Sequence, residues 1–149
     1  MNFQSCMQAF GSAFALDALA SMSDGQCRVA VRDMPITFRA EADGRFCVMT
    51  ADLGEVTDKG ADVFLKEVFG AMFMNGLGPG RWFSAEEGST KLQLNGRLDL
   101  EPLDGDAFVE AVDRFAALAY SWRETAAQWR AKCQQCQQGA AAAATGIRV

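Results

Sequence analysis

The sequence has no histidine, and this absence removes the commonest general base and the commonest metal ligand of proteins. Ser-His and Cys-His nucleophile pairs are excluded for the same reason. Carboxylates remain, but the adjacent Glu86 and Glu87 lie in a predicted turn, where we expect them to be solvated. The sequence therefore predicts that this chain is not an enzyme, with no catalytic residue, no metal site and no cofactor.

Clustered basic residues and long apolar runs are missing as well. The 14 Lys and Arg residues are scattered along a chain of net charge -5, whereas phosphate binding needs clustered cations. No run of about 18 apolar residues is present, as a helix that spans a bilayer would need. We therefore expect no nucleic-acid partner and no membrane insertion. The five cysteines, an odd number, suit a reducing compartment and predict a cytoplasmic protein.

The length and composition indicate one folded domain followed by a tail. Half of the 149 residues are hydrophobic, which is enough to form a core. We expect the domain to span residues 1–131. Residues 132–149 are rich in glutamine and alanine and predict a frayed or disordered tail. The tail contains Cys133 and Cys136, but zinc usually needs two further ligands, so we assign this pair no role.

Residues 61–75, with the sequence ADVFLKEVFGAMFMN, form an unusually apolar segment. Read as a helix, the segment is apolar on every side except a thin strip at Asp62, Lys66 and Glu67. A helix that is apolar nearly all round must be covered on both sides. We therefore predict that one side packs on the chain's own core and the other on a second copy, which makes a homodimer. The alternative is a central helix surrounded by its own chain.

The N-terminal segment, residues 2–22, has helical spacing and a wide apolar face. Phe3, Phe10 and Phe14 lie in one row along this face. One interpretation is that the whole face packs on the core. The other is that the row of aromatic side chains stays partly exposed as a docking surface, because the face is wider than one contact needs.

Residues 26–53 change to a period of two, which is typical of strands with one apolar face. Turns are predicted at Asp33-Met34-Pro35 and, as a two-residue hairpin, at Asp43-Gly44, so the segment forms three antiparallel strands. One face of this meander should pack on the core, while the other is partly charged. Each edge of such a sheet offers backbone groups to which an extended peptide can add.

The C-terminal half adds two strands and a helix. Strands are predicted at residues 81–85 and 91–100, where Gly96 marks a bulge or a close approach, and Asp104 or Asp106 caps the helix that follows. The apolar stripe of this helix consists of Phe108, Val112, Phe115, Ala119, Trp122, Ala126 and Trp129. The predicted fold is α+β, an antiparallel five-stranded sheet with three helices in the order α-β-β-β-α-β-β-α.

Three patterns of residue type, together with this order of elements, carry a resemblance. They are an aromatic first helix followed by Gly25-Gln26-Cys27-Arg28-Val29, then Trp82-Phe83-Ser84 through Leu92-Gln93-Leu94, and Leu100-Glu101-Pro102-Leu103-Asp104 entering a helix with Phe108, Phe115 and Trp122. From Phe3 to Trp129 the sequence resembles the class I type III secretion chaperones, the CesT/Tir-like family of bacteria. The alanine-rich tail with its cysteine pair is not a feature of that family.

The resemblance implies a homodimer that binds the extended N-terminal segment of a secreted effector, keeps it secretion-competent and delivers it to the export apparatus. The effector-binding residues would be Phe3, Phe10, Phe14, Val29, Val31, Ile36 and Phe38. The dimer interface would contain Phe64, Phe69, Gly70, Met72, Phe73, Trp82, Leu92 and Leu94. The alternative is a dimeric α+β adaptor that binds a folded cytosolic protein and has no secretion role, since fold does not fix function.

Overall fold

The computed structural model describes residues 1–14, 25–55, 61–74, 76–85 and 91–145, and these form the predicted order of elements. The elements are α1 (Phe3–Ala13), β1 (Gln26–Val31), β2 (Met34–Glu41), β3 (Phe46–Glu55), α2 (Ala61–Phe73), β4 (Arg81–Ala85), β5 (Lys91–Asp99) and α3 (Gly105–Thr145). The α+β class is therefore confirmed. The predicted first helix reached residue 22, but residues 15–24 lie outside the described part of the chain.

The sheet has the strand order β1-β2-β3-β5-β4, and every neighbouring pair is antiparallel. This order puts β1 at one edge and β4 at the other. Across the three central strands, Ile36 pairs with Ala51 and Ala51 with Leu94, and all three side chains are buried. Because alternate residues of a strand face opposite sides of a sheet, these residues mark the face that packs on the core.

Both turns of the meander differ from the prediction. The first turn consists of Arg32 and Asp33, which have φ angles of 50° and 63°, and strand β2 begins immediately afterwards at Met34. Positive φ at both residues matches the right-handed twist of the strands that they join. The second connection, residues 42–45, is longer than the two-residue hairpin that Asp43-Gly44 predicted.

Two positions in the sheet, Gly96 and Gly54, require a residue without a Cβ atom. A Cβ atom on Gly96 would lie 3.0 Å from the ring of Phe115, so the predicted close approach is confirmed there. The register shift of the sheet lies in β3 instead, between Asp52 and Gly54. Gly54 has a φ of 94°, and its N–H donates to the carboxylate of Asp52 over 2.8 Å. Such a conformation suits glycine, which has no Cβ to clash.

The core lies between this face of the sheet and helices α1 and α3. The ring of Phe10 in α1 is 5.7 Å from Phe38 of β2 and 6.4 Å from Phe108 of α3. Farther along α3, Trp122 contacts Phe83 of β4 edge to face at 5.0 Å. The stripe that the sequence predicted for the last helix is therefore its core-facing side. Among the described helices, none combines the length and the apolar composition that crossing a bilayer requires.

Helix α3 begins as predicted but continues farther than expected. Asp104 caps it, because its side chain accepts the N–H of Ala107 over 2.8 Å and its carbonyl accepts the N–H of Phe108 over 3.0 Å. The helix then runs to Thr145. Residues 132–145, for which we expected a frayed or disordered tail, are thus helical, and most of their side chains up to residue 143 are exposed.

Candidate functional site

The aromatic row of α1 divides between the core and the surface. Asn2 caps the helix by accepting the backbone N–H of Ser5 over 2.9 Å, which fixes the direction in which the row points. Phe3 and Phe10 are buried, whereas Phe14 directly after the helix is 43% exposed and packs on Phe10 at 4.8 Å. Of the two interpretations of this face, core packing holds for Phe3 and Phe10, and exposure holds for Phe14.

The strand residues predicted for effector binding are mostly core residues. Val31, Ile36 and Phe38 are buried, and only Val29, on the edge strand β1, is half-buried. The physical reason is that α1 and α3 cover the apolar face of the sheet, so these side chains already have packing partners. Together with Phe3 and Phe10, five of the seven predicted residues therefore lie beneath the surface, and their part in effector binding stays a prediction. Phe14 and Val29 remain accessible.

Strand β1, which carries Val29, presents an open edge. The N–H of Ala40 donates to the carbonyl of Gly25 over 2.9 Å, and hydrogen-bonded pairs alternate along an antiparallel ladder. The backbone groups of Val29 therefore point towards β2, while those of Arg28 and Ala30 point away from the sheet. Among the described residues no strand lies beside this outer edge. The edge can accept an added strand through the N–H and C=O groups of residues 28 and 30.

One side of α2 packs on the chain and the other is exposed. Phe64 is buried, with its ring 5.2 Å from that of Trp129, and Val68 is buried as well. On the other side Phe69 is 61% exposed, and Gly70 has open space where a Cβ atom would lie. Met72 is half-buried. This is the division that the sequence predicted for a helix lying between the core and a second copy.

The remaining residues of the predicted dimer interface differ in their exposure. Trp82 on the edge strand β4 is half-buried, whereas Leu92 and Leu94 of β5 are buried in the core, as is Phe64. Those three side chains pack in the core of the single chain, and their assignment to the dimer contact stays a prediction. The side chain of Phe73 lies outside the described part of the structure. Residues that the prediction omitted are Leu65, exposed by 37%, and Met74, exposed by 83%. Leu65 lies one helical turn before Phe69, a spacing that could have identified it.

The second face of the sheet is polar and is ordered by side-chain hydrogen bonds. Thr50 donates to the side-chain oxygen of Asn95 over 2.9 Å, and the amide group of Asn95 donates to Ser84 over 2.7 Å. Asn95 is buried, so these bonds satisfy its amide away from water. A row of paired residues crosses this face over all five strands: Arg28, Thr37, Thr50, Asn95 and Trp82. Sequence periodicity indicated the polar face but not the bonds between its strands.

The buried thiols are not poised for nucleophilic chemistry. Burial raises the pKa of Cys27 to about 11 and that of Cys47 to about 12, and it also raises the pKa of Cys6. A thiol is a nucleophile only as its thiolate, which such pKa values suppress at neutral pH. Within the described residues, moreover, no three His, Cys, Asp or Glu side chains are grouped to hold a metal ion. What the site offers is surface for another polypeptide.

An open sheet edge beside accessible apolar side chains, together with a helix whose outer side is apolar, defines an α+β protein-binding domain. Residues 5–123 match the model of the Tir chaperone protein (CesT) family, and the chain belongs to that family. The resemblance found in the sequence is thereby confirmed, and the family is one of chaperones. A search of curated protein sequences finds no match to this chain.

Solved structures with the same fold are similar over most of this chain. The chain resembles one in the structure of the ExsC-ExsE complex, with a TM-score of 0.63, 15% identity, and coverage of 83% of this chain and 96% of that chain. It also resembles a chain in the structure of the HopA1-SchA chaperone-effector complex, with a TM-score of 0.60 and 14% identity. That match covers 82% of this chain and 93% of that chain. A third similar structure is that of the Yersinia pestis type III secretion chaperone SycH in complex with a stable fragment of YscM2. Its TM-score is 0.62 and the identity is 12%, with coverage of 80% of this chain and 98% of that chain.

Proposed function

We propose that this protein is a cytoplasmic chaperone of a type III secretion system. It binds the extended N-terminal segment of a secreted effector, keeps that segment secretion-competent and delivers it to the export apparatus, with no catalytic step. Membership of the chaperone family supports this function. Chains of the same fold also occur in a chaperone-effector complex and in a secretion chaperone bound to a protein fragment, which favours a secreted partner over the folded cytosolic partner of an adaptor.

The open edge of β1 is the observation that carries the proposal. A segment added there forms backbone hydrogen bonds with residues 28 and 30, and such bonds require no particular sequence in the effector. Alternate side chains of the added strand would face the helix-covered side of the sheet, where Val29 and Phe14 are accessible. Backbone pairing then supplies general affinity, and these apolar contacts select the segment.

Binding in extended form is what keeps the effector ready for export. A strand paired with β1 cannot at the same time pair within the effector's own fold, so the bound segment stays unfolded. Pairing also covers the edge, which would otherwise be open to aggregation with other strands. No nucleotide chemistry is needed for this holding function, because the free energy of pairing is sufficient.

We also propose that the chaperone is a homodimer joined through the outer side of α2. Leu65, Phe69 and Met74 are exposed apolar side chains on or next to this helix, and Gly70 leaves room for close approach. An obligate dimer interface is larger and more apolar than an ordinary protein surface, as this side of the helix is. We assign Trp82, half-buried on the edge strand β4, to the same interface. Two copies present two β1 edges to one effector segment.

Affinity purification from the native bacterium tests the function. We expect one dominant secreted protein, bound through its N-terminal segment, and loss of most of this binding in an Ala30→Pro variant. Proline removes an outward N–H from β1 but no bond between β1 and β2, and edge strands tolerate it. The effector segment, once identified, is then titrated against both proteins in solution.

An Ala30→Ser variant is the matched control, because it keeps the backbone N–H and should bind the segment as the native chain does. Circular dichroism should show that both variants are folded. If the captured proteins are folded cytosolic proteins that bind without an unfolded segment, the adaptor function replaces the chaperone function. Equal affinity of the Ala30→Pro variant for the segment would place binding away from the β1 edge.

A further inference from the structure

The core-facing stripe of α3 does not end where the core ends. From Phe108 to Trp129, consecutive residues of the stripe are separated alternately by four and by three positions in the sequence. The same alternation places Cys133 and Cys136 next on the stripe. A 4-3 repeat is the spacing that keeps one face of a helix towards a partner helix along its whole length. The cysteine pair is therefore in register with the packing face of α3.

Beyond Trp129 this face leaves the core of its own chain. Trp129 still packs on Phe64 of α2, and Arg130 donates a hydrogen bond to the carbonyl of Glu55 over 2.9 Å. Cys133 is half-buried and Cys136 is exposed, although α3 continues to Thr145. Both thiols thus lie on the extension of a packing face, one and two turns past the contact of Trp129 with α2.

Two thiols at this spacing suit a soft metal ion. Residues three apart on a helix have Cβ atoms about 5–6 Å apart, on the same side. A tetrahedral zinc site has Zn–S bonds of about 2.3 Å, so its sulfur atoms lie about 3.8 Å apart, within reach of both side chains. One chain supplies two of the four thiolates, and a second copy of the same helix face supplies the other two.

The position of the extension favours a second copy as its partner. Cys133 lies one turn beyond the residue that contacts α2, the helix whose outer side is the proposed dimer contact. From Cys133 to Thr145 the helix has no charged residue, so two copies do not repel each other there. A 4-3 stripe of small side chains also allows two helices to approach closely.

We propose that two copies of the chain pair through α3 beyond Trp129 and bind one zinc-type ion between them with Cys133 and Cys136 of each chain. This inference rests on the homodimer of the proposed function. Because the site exists only in the dimer, the ion stabilises the dimer against dissociation by a free energy that rises with the logarithm of the free ion concentration. The site would make assembly of the chaperone dependent on the zinc supply of the cell.

Titration of the reduced, chelator-treated protein with Zn²⁺ and with Co²⁺ tests the site. Native mass spectrometry should show one ion for every two chains. The visible spectrum of the Co²⁺ form should be that of tetrahedral thiolate coordination. Cys133→Ser and Cys136→Ser should each abolish both signals, while the neighbouring Gln134→Ser, off the stripe, should leave them unchanged.

Several outcomes would overturn the inference. They are one ion for each chain, a spectrum of oxygen coordination, no binding, and binding that persists in the Cys133→Ser variant, which would place the ion on other residues. The mass of the metal-free protein and the effector affinity of Cys133→Ser are measured in parallel. A metal-free dimer that binds effector but no ion refutes only the zinc site, whereas a monomer with or without metal refutes the dimer itself.

Discussion

Buried cysteines show how far the surroundings of one residue set its chemistry in this protein. Cys27 and Cys47 lie in the core, where desolvation raises the thiol pKa to about 11 and about 12. For Cys47 the nearby thiols of Cys6 and Cys27 raise it further. Cys133 and Cys136 are the same type of residue on an accessible helix face. The first group acts as small apolar side chains, and the second is available to react or to bind an ion.

The raised pKa values predict how the stability of the fold depends on pH. A thiol in the unfolded chain ionises near pH 9.0, whereas Cys47 in the folded chain ionises near pH 12. Below pH 9 both states are protonated and stability is unaffected. Above pH 9 the unfolded state loses its proton first, so the free energy of unfolding falls by about 1.4 kcal/mol per pH unit for one such thiol.

Denaturant unfolding at pH 8 and at pH 10.5 measures this loss, with Cys47→Ala as the comparison. The variant should lose less stability than the native chain over the same interval, because it lacks the ionising thiol. All other ionisable residues are common to the two proteins, so the difference between the two losses reports on the thiol of Cys47. Equal losses in the two proteins would show that the thiol of Cys47 is not desolvated.

At the scale of one element, α2 carries the proposed dimer contact. Its inner side is fixed by Phe64 and Val68, which are buried, while Phe69 is exposed on the outside. An exposed apolar side of a helix gains stability when a partner covers it. The sequence predicted this division, and the structure shows which residues lie on each side.

Phe69→Asp should convert the proposed dimer into a folded monomer. Covering a large apolar side chain contributes about 1.5–3 kcal/mol, and a symmetric interface loses this contribution from both copies. Since about 1.4 kcal/mol corresponds to a factor of ten, the dissociation constant should rise at least a hundredfold. Light scattering at micromolar protein concentration measures the change in mass.

Tyr120→Asp is the control for this change, because Tyr120 is an exposed aromatic residue on α3, 47% accessible, and is not part of α2. This variant should keep the mass of the native protein. A Phe69→Asp protein that remains dimeric would place the interface on another surface, and a native chain that is already monomeric would exclude the dimer.

The whole molecule combines a domain of the chaperone fold with a helical extension. The family match ends at residue 123, and the described part of α3 continues to Thr145. Related chains in the solved complexes cover 80–83% of this chain, although 93–98% of their own length is matched. The extension is therefore an addition to a nearly complete copy of the shared fold.

A chain that ends at Ala131 should fold and bind the effector segment as the full chain does. Trp129 packs on Phe64 of α2 and Arg130 donates to the carbonyl of Glu55 in β3, and both residues are retained. In metal-free buffer we expect the melting temperature to change by only a few degrees, about what 1 kcal/mol produces in a domain of this size. Unfolding of the shortened chain, or loss of effector binding, would show that the extension belongs to the domain.

Much of the fold could be predicted because it rests on local patterns. The period of two gave the meander, and the alternation of apolar residues from Phe108 to Trp129 gave α3 its inner face. Turn positions were less certain, since Arg32 and Asp33 adopt positive φ without a glycine to indicate it. The continuation of α3 to Thr145 was missed because a composition of glutamine and alanine is compatible with both helix and disorder.

The candidate site could be predicted only in part, because apolar residues at one spacing serve both cores and interfaces. Phe10 and Phe14 lie in the same row of the sequence, yet the first is buried and the second exposed. Leu92 and Leu94 were placed at the dimer contact and lie in the core. Exposure depends on which other elements cover a face, and periodicity carries no such information.

The sequence by itself determined the class of fold, the order of its elements, the absence of histidine chemistry and the apolar character of α2. These follow from residue type and spacing, which act over a few turns or one strand. Only the tertiary structure decided that β1 is an edge strand of the described sheet, that Phe14 and Val29 are accessible while Phe38 is not, and that α3 continues to Thr145. Those depend on strand order and on the covering of one element by another, through contacts between residues far apart in the chain.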